Sequence, residues 1–317
     1  MVDLDGLRGR NVEIAGGVRL ADAGAIVAAT VDARVALVRL RHDGSVVDSF
    51  GIGGVATVGS RGDMALAVTA GPGGRNVVVA VRKRDGTVRL VGADGHGRRR
   101  PAFAPVTLPA TAHVALAARG NRLAVAAGPR IATFNLRTGE PRAATNTACD
   151  TPRSAALTGT GRLLIGCGSS IAVYHAAGAQ PAGSVPAEGA LVLGLAGAAD
   201  VCVAEQGGER VRTRRTDPAT LLTHDPFAGA PALPAHDRLA GLAPDPRGGC
   251  NLLLAKPSGG GRVVQADAGG SVAKLTALPD GFRPGAVFVC HSHVLTAGVR
   301  RSGRVAALAV IKRDADG

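Results

Sequence analysis

The sequence predicts an all-β fold: a seven-bladed β-propeller with four antiparallel strands per blade, carried as a single domain over residues 1–317. Three observations lead there. Short apolar runs recur about every 45 residues along the chain. Gly and Asp-Gly turn signals separate those runs. No segment keeps a helical apolar period for three turns before Gly or Pro interrupts it.

The recurring runs are GAIVAAT, RNVVVAV, NRLAVAAG, RLLIGCG, DVCVAEQ, NLLLAK and HVLTAG. Their first large apolar residues are Ile26, Val77, Leu123, Leu163, Val201, Leu252 and Val294, spaced by 51, 46, 40, 38, 51 and 42 residues. That period is the size of a four-stranded propeller blade. The second repeat divides most clearly. DMALAVTAGPGG, RNVVVAVRKRDG, TVRLVGADG and AFAPVTL each read as a strand with its turn. Gly and Asp-Gly at the junctions supply the positive φ that tight hairpins need.

The last repeat supplies three strands, GAVFVCHSH, VLTAGVRR and GRVAALAVIK, and lacks a fourth. RNVEIAG, at residues 10–16, is the expected donor. Pairing it with the last blade would close the ring and remove an exposed sheet edge. Ala, Gly and Val suit the crowded strands nearest the axis. Leu and Val are expected to fill the inter-blade space that aromatic residues fill in many propellers.

Residues 40–58 read LRHDGSVVDSFGIGGVATV. Asp43, Gly44, Ser45, Asp48, Ser49, Phe50, Gly51, Gly53 and Gly54 match the core of the delta-60 repeat, a bacterial propeller-type repeat that this segment resembles. The following AVTAGPGGRNVVVAV is similar to that family's next strand, with Gly73 in place of Asp and Arg75 in place of Lys. The likeness covers residues 36–90, and the other repeats keep only the spacing. It implies a propeller blade and a structural role, mostly in secreted or surface proteins. A fold of this kind does not by itself assign an activity.

The net charge is +13, and the excess is arginine: only Lys83, Lys256, Lys274 and Lys312 are lysines. This reads either as a compositional bias or as an attraction for acidic partners. Nucleic acid is disfavoured as a partner. Single-strand binding needs stacking platforms, and the chain has no Trp, one Tyr and six Phe. No apolar run approaches the roughly 18 residues of a transmembrane helix. The five cysteines, Cys149, Cys167, Cys202, Cys250 and Cys290, form no C-x-x-C pair. Cys149 and Cys167 fall at one rim of the fourth blade, where a disulfide is geometrically allowed and would imply export. Cys202 reads as a buried strand residue. The opening residues have no apolar signal region. The expectation is a secreted or cell-surface protein whose leader is not in this sequence, with a cytoplasmic protein as the alternative.

Propellers present ligands on the loops between blades and between the second and third strands. There the sequence places Asp63, His113, Asp150, Arg153, Glu205, Glu209, His236, Asp237, Arg238 and Arg283. His113, Asp150, His236 and Asp237 are the candidate acid–base residues. Asp63, Arg153, Glu205, Arg238 and Arg283 are candidate ligand-binding residues. Equally, all are common turn and strand-start types. Arg210, Arg212 and Arg214 alternate along RVRTR and would share one strand face, as a patch for an acidic group or as a solvated outer face. In CHSH, His291 and His293 would share a strand face and could chelate a metal. They also read as solvated residues at a hairpin end, at the opposite end from the polar ring.

The expected function is a monomeric, non-enzymatic binding or scaffold propeller without a cofactor. Its partner would be a protein or a small anionic ligand met at the channel mouth or inter-blade loops. The alternative is a metal-assisted hydrolase or lyase with a divalent metal held by the His/Asp ring. No His-x-Glu pair can be placed among the five glutamates to support it.

Overall fold

The computed structural model describes residues 2–9, 11–104, 106–146, 149, 151–177, 179–194, 200–234, 236–302 and 305–314. Among them are seven four-stranded antiparallel sheets, the blades of a seven-bladed β-propeller. The only helical element among the described residues is one 3-10 turn at Pro72–Gly74. Among the described residues no helix is long and apolar enough to cross a membrane.

The chain divides into two compact units. The first comprises Met1–Ala112, Asn135–Glu140 and Gly281–Gly317. It holds three blades. Strands β2 (Val12–Arg19), β3 (Ala25–Val31), β4 (Arg34–Leu40) and β5 (Val55–Val58) form blade one. Blade two has β6 (Met64–Ala70), β7 (Asn76–Arg82), β8 (Val88–Asp94) and β9 (Val106–Leu108). The seventh blade joins β26 (Phe282–Cys290), β27 (His293–Ser302) and β28 (Val305–Asp314) to β1 (Val2–Gly9).

The second unit, His113–Phe134 with Pro141–Asp280, holds four. Blade three has β10 (Val114–Arg119), β11 (Arg122–Ala127), β12 (Arg130–Asn135) and β13 (Pro141–Asn146). Blade four has β14 (Ser154–Leu157), β15 (Arg162–Gly166), β16 (Ser170–His175) and β17 (Gln180–Pro186). Blade five has β18 (Leu191–Gly194), β19 (Val201–Gly207), β20 (Arg210–Thr216) and β21 (Leu233–Pro234). Blade six has β22 (Arg238–Asp245), β23 (Gly249–Ala255), β24 (Gly261–Ala266) and β25 (Val272–Leu278).

All seven recurring apolar runs are the second strands of their blades: β3, β7, β11, β15, β19, β23 and β27. They are nearly continuous apolar segments because both faces are buried, as Val77–Val81 and Leu252–Leu254 show. The N-terminal segment does complete the last blade, but residues 10–16 are not the strand that does so. β1 pairs with β28, from Val2 opposite Val310 to Gly9 opposite Ala306. Residues 12–16 instead lie in β2, paired with β3. The reason is a matter of supply. GAIVAAT is a second strand and needs a first strand before it, so RNVEIAG is taken up there and the segment ahead of it closes the blade.

The core lies between blades. Leu7, Val27, Phe288, Leu295 and Leu308 form one buried cluster joining the seventh blade to the first. Ile26, Leu37, Phe50, Val77 and Val79 join the first to the second. In the second unit, Ile131, Leu163, Ile165 and Tyr174 bridge blades three and four. The first strands also pack side by side, β26 on β2 and β2 on β6 in one unit, and β10, β14, β18 and β22 in order in the other. Such close approach needs small residues. A Cβ on Gly17 would lie 2.2 Å from Phe288 Cζ, so the glycine lets that ring approach the strand closely. Replacing Gly17 with Ala is expected to cost about 1–3 kcal/mol through overpacking, read as a lower urea midpoint. An unchanged midpoint would contradict this packing.

The segment that resembles a delta-60 repeat is a structural corner between β4 and β5. Phe50 is fully buried. Asp43 closes the Asp-Gly turn, accepting from Ser45 N at 2.9 Å and Ser45 Oγ at 2.6 Å. Asp85 repeats this with Thr87, at 2.9 and 2.6 Å. The Ser45 side-chain bond, then its backbone bond, holds the Asp43 carboxyl below the ordinary carboxylate value, and Thr87 does the same for Asp85. A carboxyl lowered in the folded state contributes stability above its unfolded pKa and loses it as pH falls through the folded value. NMR titration should therefore show Asp43 ionising below the ordinary aspartate value, returning toward that value in Ser45→Ala. An Asp43 titration that Ser45→Ala leaves in place would contradict the assignment.

Candidate functional site

The polar residues that enter the first strands of the second unit are built around Arg153, directly before β14. Its loop is fastened at both ends. Arg153 N donates to Gly166 O at 2.8 Å, and Cys149 is disulfide-bonded to Cys167. The guanidinium donates through Nη1 to Gly189 O and through Nη2 to Leu239 O, the latter at 3.1 Å. Gly189 has φ +56°, and a Cβ there would sit 2.9 Å from Arg153 Nη1 and 3.1 Å from Gln206 O. Burial, and then the neighbouring charge of Arg238, lowers the Arg153 pKa from its ordinary value.

Gln206, at the end of β19, carries the next link. Its Nε2 donates to Asp237 O at 2.9 Å and its Oε1 accepts from Leu239 N at 2.7 Å. The Asp237 carboxylate lies 3.4 Å from Arg262 Nε as an ion pair, and Arg262 Nη2 donates to Pro234 O at 3.2 Å. His236 Nδ1 lies 3.3 Å from Glu209 Oε1, both largely exposed. Arg238 opens β22, is exposed, and its side chain forms no hydrogen bond or ion pair among the described residues. Asp237 and Glu209 each have a partner, while the charges of Arg153 and Arg238 oppose each other.

The other sequence-predicted residues fall elsewhere. His113, exposed, precedes β10, and its carbonyl accepts from Gly128 N at 3.2 Å. Asp150 lies outside the described residues. In the first unit, Asp63 is buried and closes the loop before β6, accepting from Ser60 N and Lys83 Nζ, each at 2.6 Å. Arg283 is exposed near the start of β26.

The alternation of Arg210, Arg212 and Arg214 along β20 holds, with Val211 and Thr213 buried between them. Much of this face is engaged internally. Arg212 Nε donates to Glu205 Oε1 at 2.6 Å and its guanidinium stands 5.2 Å from the Phe227 ring centre. Arg214 donates to Ala228 O. These two fix the long connection between β20 and β21, and Arg210 stays exposed. His291 and His293 do not share a strand face. β26 ends at Cys290, and His291 turns the hairpin with φ +53°. Its ring meets His42 edge-on at 5.4 Å, while His293 Nδ1 lies 3.0 Å from Asp314 Oδ1 across β27 and β28. Among the described residues no three His, Cys, Asp or Glu side chains gather as a metal-binding group.

Sequence reasoning missed Gln206, Gly189 and Arg262, whose roles depend on contacts between blades. It also missed that buried Cys202 is bonded to Cys250, a bridge between the second strands of blades five and six. Cys290 is a free, buried thiol, and burial pushes its pKa up to about 12.

No family model matches the chain, and no curated protein matches it. Solved structures do. The chain is similar to one in the crystal structure of the mitotic checkpoint complex, at 10% identity and a TM-score of 0.64, covering 98% of this chain and 96% of that one. It is likewise similar to the streptogramin B lyase structure, at 10% identity and a TM-score of 0.65 with the same coverage. At such identity these likenesses establish the seven-bladed fold and nothing further.

Reducing the two bridges should lower unfolding stability by roughly 2–4 kcal/mol each. Thiol titration of the unreduced protein should find no reactive thiol when native and one when unfolded. Three or five thiols on unfolding would contradict the pairing.

Proposed function

We propose that this propeller is a non-enzymatic binding module whose rim at Arg153 and Arg238 recognises an acidic group on a partner. One observation carries this reading. Asp237 is already ion-paired with Arg262 and Glu209 lies against His236, whereas the side chain of exposed Arg238 has no partner among the described residues and its charge acts against that of half-buried Arg153. An incoming carboxylate or phosphate would relieve it and take charge-assisted hydrogen bonds from Arg238. The two disulfides support a place outside the cytoplasm. The 40–58 segment supports descent from delta-60-type repeats, now reduced to its structural residues.

A fluorescent poly-glutamate peptide at low ionic strength is the direct probe. Anisotropy should show saturable binding that Arg238→Ala weakens about tenfold, the scale of one lost charge-assisted bond. Arg210→Ala should bind as the parent does. Equal affinity of the parent and Arg238→Ala would overturn the assignment of this rim.

A further inference from the structure

We propose a second binding site, at the opposite end of β14 from Arg153, for a small ligand carrying a phosphate group. It is a cleft of about 260 Å³ between blades three and four, inside the second unit, lined by Arg119, Asn121, Arg122, Arg142, Thr158 and Gly159 among others. The volume lies just under the usual range for small-molecule pockets. This suits a compact anion rather than a large apolar ligand.

Three features of the backbone bring the charges together. Arg119 and Arg122 face each other across the two-residue Gly120–Asn121 turn of the β10–β11 hairpin. Like charges directly opposite in an antiparallel pair are unfavourable, and a bound anion would offset that repulsion. Arg142 arrives from β13, where Thr133 pairs with Ala143 and Phe134 with Pro141. Arg142 is therefore the extra residue of a β-bulge, a device that re-aims a side chain out of the alternating pattern. It is exposed and forms no hydrogen bond or ion pair among the described residues. The facing wall is the β14–β15 turn, Thr158–Gly161. Its polar groups are largely satisfied internally, Thr158 Oγ1 accepting from Arg162 N at 3.0 Å and lying 2.9 Å from Thr160 Oγ1. Gly161, at φ +76°, leaves open space where a side chain would stand.

Among the described residues lining the cleft there is no carboxylate. Arg122 and Arg142, with no carboxylate among the described lining residues, favour an anion that can take bonds from both guanidiniums at once. A phosphate group offers three terminal oxygens and nearly two charges near neutral pH, against two oxygens and one charge for a carboxylate. The fixed planar fork of Arg fits such oxygens better than the Lys ammonium does.

The test is isothermal titration calorimetry of the full chain with sodium pyrophosphate, with citrate as the carboxylate arm. The expected result is saturable one-to-one pyrophosphate binding, tighter than citrate. Arg142→Ala and Arg122→Ala should each weaken it about tenfold, and Arg142→Lys should restore it only in part. Arg238→Ala, at the other end of the strands, should bind pyrophosphate as the parent does, which separates this site from the rim. Because Arg142 is exposed on a bulge, Arg142→Ala should keep the parent's melting temperature. The absence of saturable binding, equal affinity of Arg122→Ala and the parent, or tighter binding of citrate would overturn the proposal.

Discussion

Pairing of β1 with β28 is the constraint on which the rest of the architecture depends. It joins strands some 300 positions apart in sequence, from Val2 opposite Val310 to Gly9 opposite Ala306. Without it the seventh blade would present the backbone groups of β28 as an open edge, a template for unwanted pairing. With it, Leu7 is drawn into the cluster that contains Phe288 and Leu308 and locks the seventh blade against the first. That packing depends on the smallness of Gly17 and Gly285, each of which lies against a large side chain of the neighbouring blade.

Arginine serves two physical ends in this protein. Some guanidiniums satisfy backbone carbonyls that close packing would otherwise strand, as Arg153 does for Gly189 and Leu239. Arg215 similarly bridges Asp200 and Asp245 O. Others, such as Arg142 and Arg238, stand exposed without partners among the described residues. The five donors of the side chain suit the first role, and its permanent charge suits the second. The net charge of +13 is therefore not one uniform field. It resolves into bonded arginines and a few that are open to an anion.

The repeat was legible because each second strand is buried on both faces and so reads as an unbroken apolar run between turns. The closing strand was harder to read. VDLDGLRG mixes Asp and Gly with its apolar residues, and its pairing register shifts between Asp3 and Arg8, so it lacks a clean alternation. The strand-start positions of Asp63, His113, Arg153 and Arg238 followed from the same spacing, but their chemistry did not. Whether Asp63 faces a ligand or caps a loop turns on Lys83 and Ser60, which only the folded chain brings to it. His291 misled because a two-residue spacing implies a common face only within a strand, and the strand stops one residue earlier. Arg119, Arg122 and Arg142 carried no linear signature. A hairpin, a bulge and the neighbouring blade's turn bring them to one cleft.

Closure of the last blade by the first strand is tested most directly by hydrogen exchange resolved along the chain. If β1 is a full member of that sheet, its amides are slow to exchange, and those of residues 2–9 lose protection together with residues 305–314 as denaturant is added. Exchange of residues 2–9 at the rate of an unfolded peptide, with β27 and β28 still protected, would contradict the account.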